Sequence, residues 1–292
     1  MKEITILSGK GGTGKTSVTA ALASLANGAV LCDSDVDAAD LHLILKPDIL
    51  ETHPFQGFWI ARIDASVCTG CGICADYCRF DAIHPDDSGT YEINSFKCEG
   101  CRLCERVCPV QAISSEKSAN NAWYVSQTRF GWMVHAAMGP GEENSGKLVT
   151  QCRKKAKELA EENHAAYLLN DGPPGIGCPA IAAVTGSDAA LIVAEPSISS
   201  LHDAERLVFL IDGFSIPAFA LINKADIHPE MTGRLEKFFR ERSIPVLGLL
   251  PFDRAVVGAM VDGKSITEHS PDSEISSVLQ TAWEKLTRQL DQ

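Results

Sequence analysis

The sequence has no long apolar run and no excess of positive charge. No stretch of about 18 apolar residues occurs in the 292, so we expect no bilayer-spanning helix. The 26 basic residues are outnumbered by 38 acidic ones, which gives a formal net charge of -12. Because an acidic surface repels phosphate groups, we expect no binding to nucleic acid or to an anionic membrane. A glycine-rich loop already begins at Gly9, so we expect no signal peptide and a cytoplasmic location.

The composition is that of a folded chain. Hydrophobic residues make up 45% and charged residues 22% of the sequence, which excludes a disordered protein. The length predicts one large domain or two unequal ones.

Cysteine is abundant and unevenly placed. Eight of the eleven cysteines lie between Cys68 and Cys108, in two copies of the spacing C-x2-C-x2-C-x3-C that start thirty residues apart. Such crowding in a reducing compartment indicates metal ligation and not disulfides. The flanks repeat as well, since Asp81-Ala82-Ile83 corresponds to Gln111-Ala112-Ile113.

The two runs resemble those of bacterial ferredoxins, in which three cysteines of a run bind one [4Fe-4S] cluster and the fourth binds the other. The resemblance implies two crossed ligand sets: Cys68, Cys71, Cys74 and Cys108 for one cluster, and Cys98, Cys101, Cys104 and Cys78 for the second. A zinc site is the alternative, but it would leave the third and fourth cysteines of each run without a role. Arg79 departs from the pattern, because proline usually follows the fourth cysteine.

The N-terminal loop Gly9-Lys10-Gly11-Gly12-Thr13-Gly14-Lys15-Thr16 fits the phosphate-binding pattern G-x-x-x-x-G-K-[ST]. An apolar strand over residues 4–8 and a helix over residues 17–26 are predicted on its two sides. Backbone N–H groups of such a loop surround phosphates, so its nucleotide-binding residues are expected to be Gly9, Gly11, Gly12, Thr13, Gly14, Lys15, Thr16 and Ser17. Lys15 would reach the β- and γ-phosphates, and the Thr16 hydroxyl would bind Mg²⁺.

The early lysine, Lys10, distinguishes this loop from an ordinary one. The sequence KGGTGKT resembles the deviant Walker A motif of the MinD/ParA/Mrp and nitrogenase iron protein class of P-loop ATPases. The resemblance implies that Lys10 acts in trans, in a dimer that encloses ATP. The partner chain is then a second copy or a paralogue.

Carboxylates follow two predicted strands. Asp33 and Asp35 end the strand that starts at Val30, and the family pattern implies that Asp35 positions the attacking water while Asp33 supports the Mg²⁺ site. Asp171 ends an apolar strand before the turn at residues 172–175, which has the form of a Walker B strand and switch II, so it is expected to hold Mg²⁺. Lys10, Lys15, Asp35 and Asp171 are the predicted catalytic residues, and Asn223, Pro251 and Asp253 resemble the family's base-contacting residues.

Strands near residues 4, 30, 167, 190, 219 and 247 alternate with helices, which predicts an α/β P-loop NTPase fold with a mostly parallel sheet flanked by helices. A small α+β ferredoxin-type insertion at 62–116 is expected to interrupt an ATPase domain formed by 1–61 and 117–292. We place the interruption between the second strand and a strand near residues 123–126.

Three cysteines lie outside the runs. Cys32 and Cys152 fit buried apolar positions. Cys178 follows the switch II segment, where the sequence leaves open a packed thiol or a role in a cluster bridging two chains. The segments at 126–131 and 142–147 also look like those of the family, but the sequence gives them no chemistry of their own.

Three functions compete. The leading hypothesis is an ATP-hydrolysing iron-sulfur protein in which ATP-dependent dimer closure is coupled to electron transfer through two [4Fe-4S] clusters to a redox partner. The second is an iron-sulfur carrier or assembly ATPase of the Mrp type, which is weakened because no C-x-x-C pair follows Cys108. The third is a positioning ATPase. The apolar stripe at 278–290 that it would need has charges of both signs on its polar side, so we expect this helix to pack on its own domain.

Overall fold

The computed structural model describes residues 1–57, 59–139 and 146–291. The chain divides into two compact units. The larger unit comprises Met1–Thr52, Trp123–Ala136 and Ser145–Gln292, and the smaller unit comprises His53–Ala122 and Ala137–Asn144.

Strands and helices alternate along most of the chain. In the described residues the strands are β1 (Lys2–Ser8), β2 (Val30–Asp33), β3 (Asp48–Phe55), β4 (Trp59–Ile63), β5 (Ile83–Pro85), β6 (Tyr91–Ile93), β7 (Ile113–Lys117), β8 (Asn121–Thr128), β9 (Gly131–Ala137), β10 (Tyr167–Pro174), β11 (Ala189–Ala194), β12 (Ala218–Asn223) and β13 (Val246–Leu250). The helices are α1 (Lys15–Leu25), α2 (Leu41–Leu45), α3 (Ile73–Asp76), α4 (Leu103–Val107), α5 (Lys147–Glu162), α6 (Cys178–Val184), α7 (Ile198–Asp212), α8 (Pro229–Glu241), α9 (Arg254–Asp262), α10 (Ile266–His269) and α11 (Glu274–Leu290).

Within the described residues, the main sheet has nine strands in the order β13-β12-β11-β1-β10-β2-β9-β8-β3. The pairs from β13 through β9 are parallel. Strands β1 and β11 are buried along almost their whole length because helices cover both faces. The predicted α/β fold with a mostly parallel sheet is therefore confirmed, and each of the six predicted strands is present.

Two strands of this sheet were not predicted. β9 pairs in parallel with β2, and β3 follows β2 in the chain and forms an edge of the sheet. The cysteine-rich segment therefore follows β3, an additional strand between β2 and that segment. Residues 48–52 are all exposed, so β3 has no alternating apolar pattern that would reveal a strand.

Apolar side chains fill both sides of the sheet. One buried cluster contains Ile4 and Ile6 of β1, and a second contains Leu7. The C-terminal helix α11 packs into the first cluster through Leu279 and Trp283, as its apolar stripe predicts. Among the described residues, no helix is both long and apolar enough to cross a membrane.

The described part of the smaller unit contains two antiparallel strand pairs and two short helices. β4 pairs antiparallel with β7, β5 pairs antiparallel with β6, and each cysteine run contributes one short helix, α3 or α4. Its buried core is small and consists of Ala61, Cys74, Ile83 and Ile113, with further cysteines packed against it. Such a core is limited, and the cysteines form a substantial part of it.

Candidate nucleotide site and two cysteine-lined cavities

The glycine-rich loop connects β1 to α1 and curves through left-handed backbone conformations. Gly12 has φ +78° and Gly14 has φ +92°, values that favour glycine. A side chain at Gly14 would collide with the Asn223 amide, which donates to Thr13 O at 2.8 Å. Asn223 thus borders the loop directly, at the end of β12.

Lys15 lies at the centre of an acidic group. Its Nζ is 3.1 Å from Asp171 Oδ1 and 3.4 Å from Asp35 Oδ2, and the side chain is only 6% exposed. Burial by itself lowers the pKa of Lys15, but the attraction of Asp171, Asp35 and Asp33 outweighs burial and raises the pKa. The lysine is therefore held charged at the place where phosphates would lie.

Asp171 binds two hydroxyls of α1. Thr16 Oγ1 donates to its Oδ2 at 2.8 Å, and Thr19 Oγ1 donates to its Oδ1 at 2.7 Å. Thr19 is fully buried and was not identified from the sequence. The available signal was its position four residues after Lys15, because residues four apart share one face of a helix.

Asp33 and Asp171 are register partners on the adjacent parallel strands β2 and β10. Asp33 is fully buried and accepts from the backbone N–H groups of Asp35 and Leu41, both at 3.2 Å. Burial, then the charge of Asp171, raises the pKa of Asp33 well above its ordinary value. Burial, partly offset by Lys15, raises the pKa of Asp35 to about 6.

Three carboxylates beside one lysine form a site with excess negative charge. Carboxylate and hydroxyl oxygens are the ligands that Mg²⁺ prefers, so Thr16, Asp33 and Asp171 fit such a cation. Within the described parts of the chain, no three His, Cys, Asp or Glu side chains are close enough together to hold one metal ion.

Lys10 binds groups of its own chain. Its Nζ lies 2.6 Å from Glu195 Oε1 and donates to the Ser197 and Ser199 hydroxyls at 3.3 Å. Glu195 also binds Lys224, whose Nζ donates to Gly12 O at 3.0 Å. The sequence did not identify Glu195 or the two serines, because no local motif joins them to the loop.

An apolar cavity of about 280 Å³ opens beside the loop. Asn223, Pro251 and Asp253 border it, as does Phe252 of the same predicted loop. Residues that the sequence did not identify also border it, namely Val256, Val257, Met260 and Ile266. Asp253 also caps α9 by accepting from Ala255 N at 2.8 Å. Its size and apolar lining suit a planar base, and we call it the base cavity.

In the smaller unit, each of two cavities is lined by four cysteines. The first contains Cys68, Cys71 and Cys74 of one run with Cys108 of the other. The second contains Cys98, Cys101 and Cys104 with Cys78. The fold therefore brings together the two crossed sets that the ferredoxin resemblance implies.

The chemistry of these cavities suits a cationic iron-sulfur core. Burial, then the neighbouring Cys68 and Cys71, raises the pKa of Cys74. Burial and the neighbouring cysteines also raise the pKa of Cys104 to about 11. Crowded thiolates repel one another, and a bound cationic group removes that repulsion.

The cysteines outside the runs differ in exposure. Cys32 and Cys152 are completely buried, and burial raises the pKa of Cys32 to about 12. Cys178 is exposed at the first residue of α6. Residues 126–131 form the end of β8 and the turn to β9, whereas most of the 142–147 segment lies outside the described residues.

Comparisons with known proteins agree with this geometry. The 4Fe-4S dicluster domain family matches residues 61–115. The uncharacterized protein MJ0578 of Methanocaldococcus jannaschii is 37% identical over 227 residues, which cover 76% of this chain and 78% of the relative. A cytosolic Fe-S cluster assembly factor NUBP1 homolog of Caenorhabditis briggsae is 27% identical over 51% of this chain and 55% of its own length.

The same fold occurs in solved structures. The septum site-determining protein MinD of Pyrococcus horikoshii, complexed with Mg-ADP, superposes with a TM-score of 0.60 and 18% identity, covering 99% of this chain and 96% of that one. The chain therefore belongs to the same family as MJ0578, has the fold of the MinD/ParA-type P-loop ATPases and carries a 4Fe-4S dicluster domain.

Proposed function

We propose that this protein hydrolyses ATP and couples ATP-dependent association of two chains to electron transfer through two [4Fe-4S] clusters. One observation carries the proposal: a single chain combines a phosphate site around Lys15 with two cavities of four cysteines each. A cluster pair by itself needs no nucleotide, so its combination with an ATPase favours a gated function.

At the nucleotide site, each side chain has a distinct task. Lys15 binds the phosphates, and its charge is secured by Asp171 and Asp35. Thr16 and Asp171, already hydrogen-bonded to each other, are the groups that hold the cation. Mg²⁺, when bound, supplies positive charge to the phosphates. The Asp35 carboxylate orients a water molecule, with its backbone fixed by the hydrogen bond from Asp35 N to Asp33.

Lys10 is the group through which two chains associate. It reaches the phosphates of a second copy or a paralogue only after leaving Glu195, so exchange of these partners links nucleotide binding to dimer closure. The resulting site contains residues from both chains.

The eight cysteines of the two runs hold the clusters in the crossed arrangement. The clusters, when bound, supply one-electron carriers. Because each set borrows its fourth cysteine from the other run, loss of Cys78 disturbs the set that contains Cys98, and loss of Cys108 disturbs the set that contains Cys68. Both runs are therefore required in one compact unit.

The decisive experiment follows cluster oxidation by EPR after anaerobic reduction, with and without MgATP. Wild type is expected to transfer electrons to an artificial acceptor at a rate that depends on MgATP, and Lys15→Ala to lose that dependence. Lys237→Ala is the matched lysine control, because Lys237 is an exposed residue of α8 that lines neither the base cavity nor a cysteine-lined cavity. A nucleotide-independent spectrum and rate in wild type would refute the coupling.

An iron-sulfur carrier is the second candidate, and the similarity to the NUBP1 homolog favours it. A carrier is expected to hold transferable iron beyond the roughly eight atoms of two [4Fe-4S] clusters. Iron is counted before and after incubation with an apo-acceptor and MgATP. Retention of all the iron would exclude the carrier, whereas nucleotide-dependent loss would favour it over electron transfer.

A further inference from the structure

The turn between β8 and β9 holds an arginine whose guanidinium is bound on several sides. Arg129 donates from Nε and Nη2 to the two carboxylate oxygens of Glu268, at 2.6 and 2.7 Å. Nη1 donates to Leu45 O at 2.7 Å, and Nη2 donates to Ile44 O and Gly263 O at 3.2 Å. Bidentate and charge-assisted bonds of this kind fix both the position and the plane of the side chain.

The hydrogen bonds to Ile44 O and Leu45 O connect Arg129, through α2, to an aspartate of the nucleotide site. Ile44 and Leu45 are the last residues of α2, where carbonyl groups have no helical partner. Leu41, the first residue of α2, donates its backbone N–H to Asp33. A helix of five residues is about 7.5 Å long and has little room to bend, so fixing one end fixes the other.

The hydrogen bonds to Gly263 O and to the Glu268 carboxylate connect Arg129 to elements that line the base cavity. Gly263 directly follows α9, and Glu268 lies in α10, where its Oε2 accepts from Ser265 N at 2.8 Å. Met260 of α9 and Ile266 of α10 both border the base cavity. The same guanidinium therefore binds the elements that carry the cavity wall and the helix that holds Asp33.

We propose that Arg129 is a positioning residue that fixes α2, and through it Asp33 and Asp35, relative to the base cavity. A base bound in the cavity restricts the motion of α9 and α10. Because Arg129 is hydrogen-bonded both to these elements and to α2, the motion of the N-terminus of α2 is then restricted as well. Arg129 borders neither the loop nor the cavity, so it acts through other residues. The effect on catalysis rests on the proposed ATP hydrolysis, whereas the effect on α2 does not.

Arg129→Ala is the test variant, and Arg242→Ala is its matched control. Arg242 likewise binds a helix-end carbonyl, Phe238 O at 3.5 Å, and a glutamate, Glu205 at 3.4 Å. It also stacks on an aromatic ring, as Arg129 does. Hydrogen exchange is measured by mass spectrometry on the nucleotide-free proteins, followed by binding of a fluorescent ATP analogue and by ATP hydrolysis.

In Arg129→Ala, amides of residues 36–46 are expected to exchange about tenfold faster than in wild type, because charge-assisted bonds at the end of α2 are lost. The kcat for ATP is expected to fall about tenfold while nucleotide affinity changes less than about threefold, since the base cavity remains. Arg242→Ala is expected to change neither quantity. If the amides of residues 36–46 exchange at the same rate in Arg129→Ala as in Arg242→Ala, the inference is overturned. Absence of ATP hydrolysis in wild type would instead refute the proposed function, and the exchange measurement would still decide the role of Arg129.

Discussion

Lys10 Nζ lies 2.6 Å from Glu195 Oε1 of the same chain. The lysine that is expected to bind the nucleotide of a partner chain is therefore held in an ion pair within its own chain. Burial raises the pKa of Glu195, but hydrogen bonds from Lys10 and Lys224 outweigh burial and lower it. Glu195 is thus charged at neutral pH and retains the lysine. Release of this ion pair accompanies any use of Lys10 in trans.

Glu195→Gln is expected to favour nucleotide-dependent dimers. The substitution keeps the shape of the side chain but removes its charge, so the dissociation constant of the MgATP dimer should fall about two- to fivefold, as suits a partly exposed ion pair. Light scattering after size exclusion measures this constant. Glu205→Gln, at the ion pair with Arg242, is the control and should leave it unchanged. A weaker dimer in Glu195→Gln would contradict the retaining role.

Thr19→Val is expected to weaken both stability and ATP hydrolysis. It removes a hydrogen bond to the buried carboxylate of Asp171, which typically contributes about 1.5–3 kcal/mol. Urea denaturation gives the free energy of unfolding, and steady-state hydrolysis gives kcat. Thr281→Val is a close control, because both hydroxyls bond to the carbonyl four residues earlier but Thr281 is exposed. Equal effects of the two substitutions would show that the contact with Asp171 is unimportant.

Gly72→Ala is expected to disrupt the first cysteine-lined cavity. Gly72 has φ +75°, and an added Cβ would lie 2.9 Å from Tyr91 Oη, which borders the same cavity. Iron in anaerobically purified protein should fall from about eight atoms per chain to about four or fewer. Gly89→Ala has a similar backbone strain at φ +83° but open space around it, so it should keep its iron. Full iron in Gly72→Ala would contradict this prediction.

His135 makes stability depend on pH. Burial, then the nearby His42, lowers the pKa of His135 to about 4, and its ring contacts Tyr124 and Ser126. The unfolded chain, with an ordinary pKa near 6.5, binds the proton more readily, so stability is present above that pH and is lost on acidification towards pH 4. At pH 5 the loss is at most about 2 kcal/mol.

His135→Gln tests this dependence, because glutamine cannot take up the proton. When the pH is lowered from 7.5 to 5, the free energy of unfolding of wild type should fall by about 1–2 kcal/mol more than that of the variant. His164→Gln, in an exposed position, is the control. A difference that stays constant across this range would contradict the prediction.

Motifs with strict spacing could be found from the sequence. The glycine-rich loop appears between β1 and α1 as predicted, because its glycines and flanking apolar runs are local features. The strand β3 escaped prediction because its residues are mostly exposed, and β9 escaped because periodicity alone does not distinguish a short apolar strand from a buried helical segment.

The sequence by itself determined the two kinds of chemistry in this chain, because phosphate loops and cysteine runs are continuous segments whose spacing carries their function. Only the tertiary structure decided which distant residues meet. The strand order places Asp33 beside Asp171, and helix α1 brings Thr19 to the same carboxylate. Glu195 contacts Lys10, and Arg129 contacts Leu45, across more than 80 positions of the sequence. Such meetings depend on how strands order and helices pack around a common core, which local patterns do not encode.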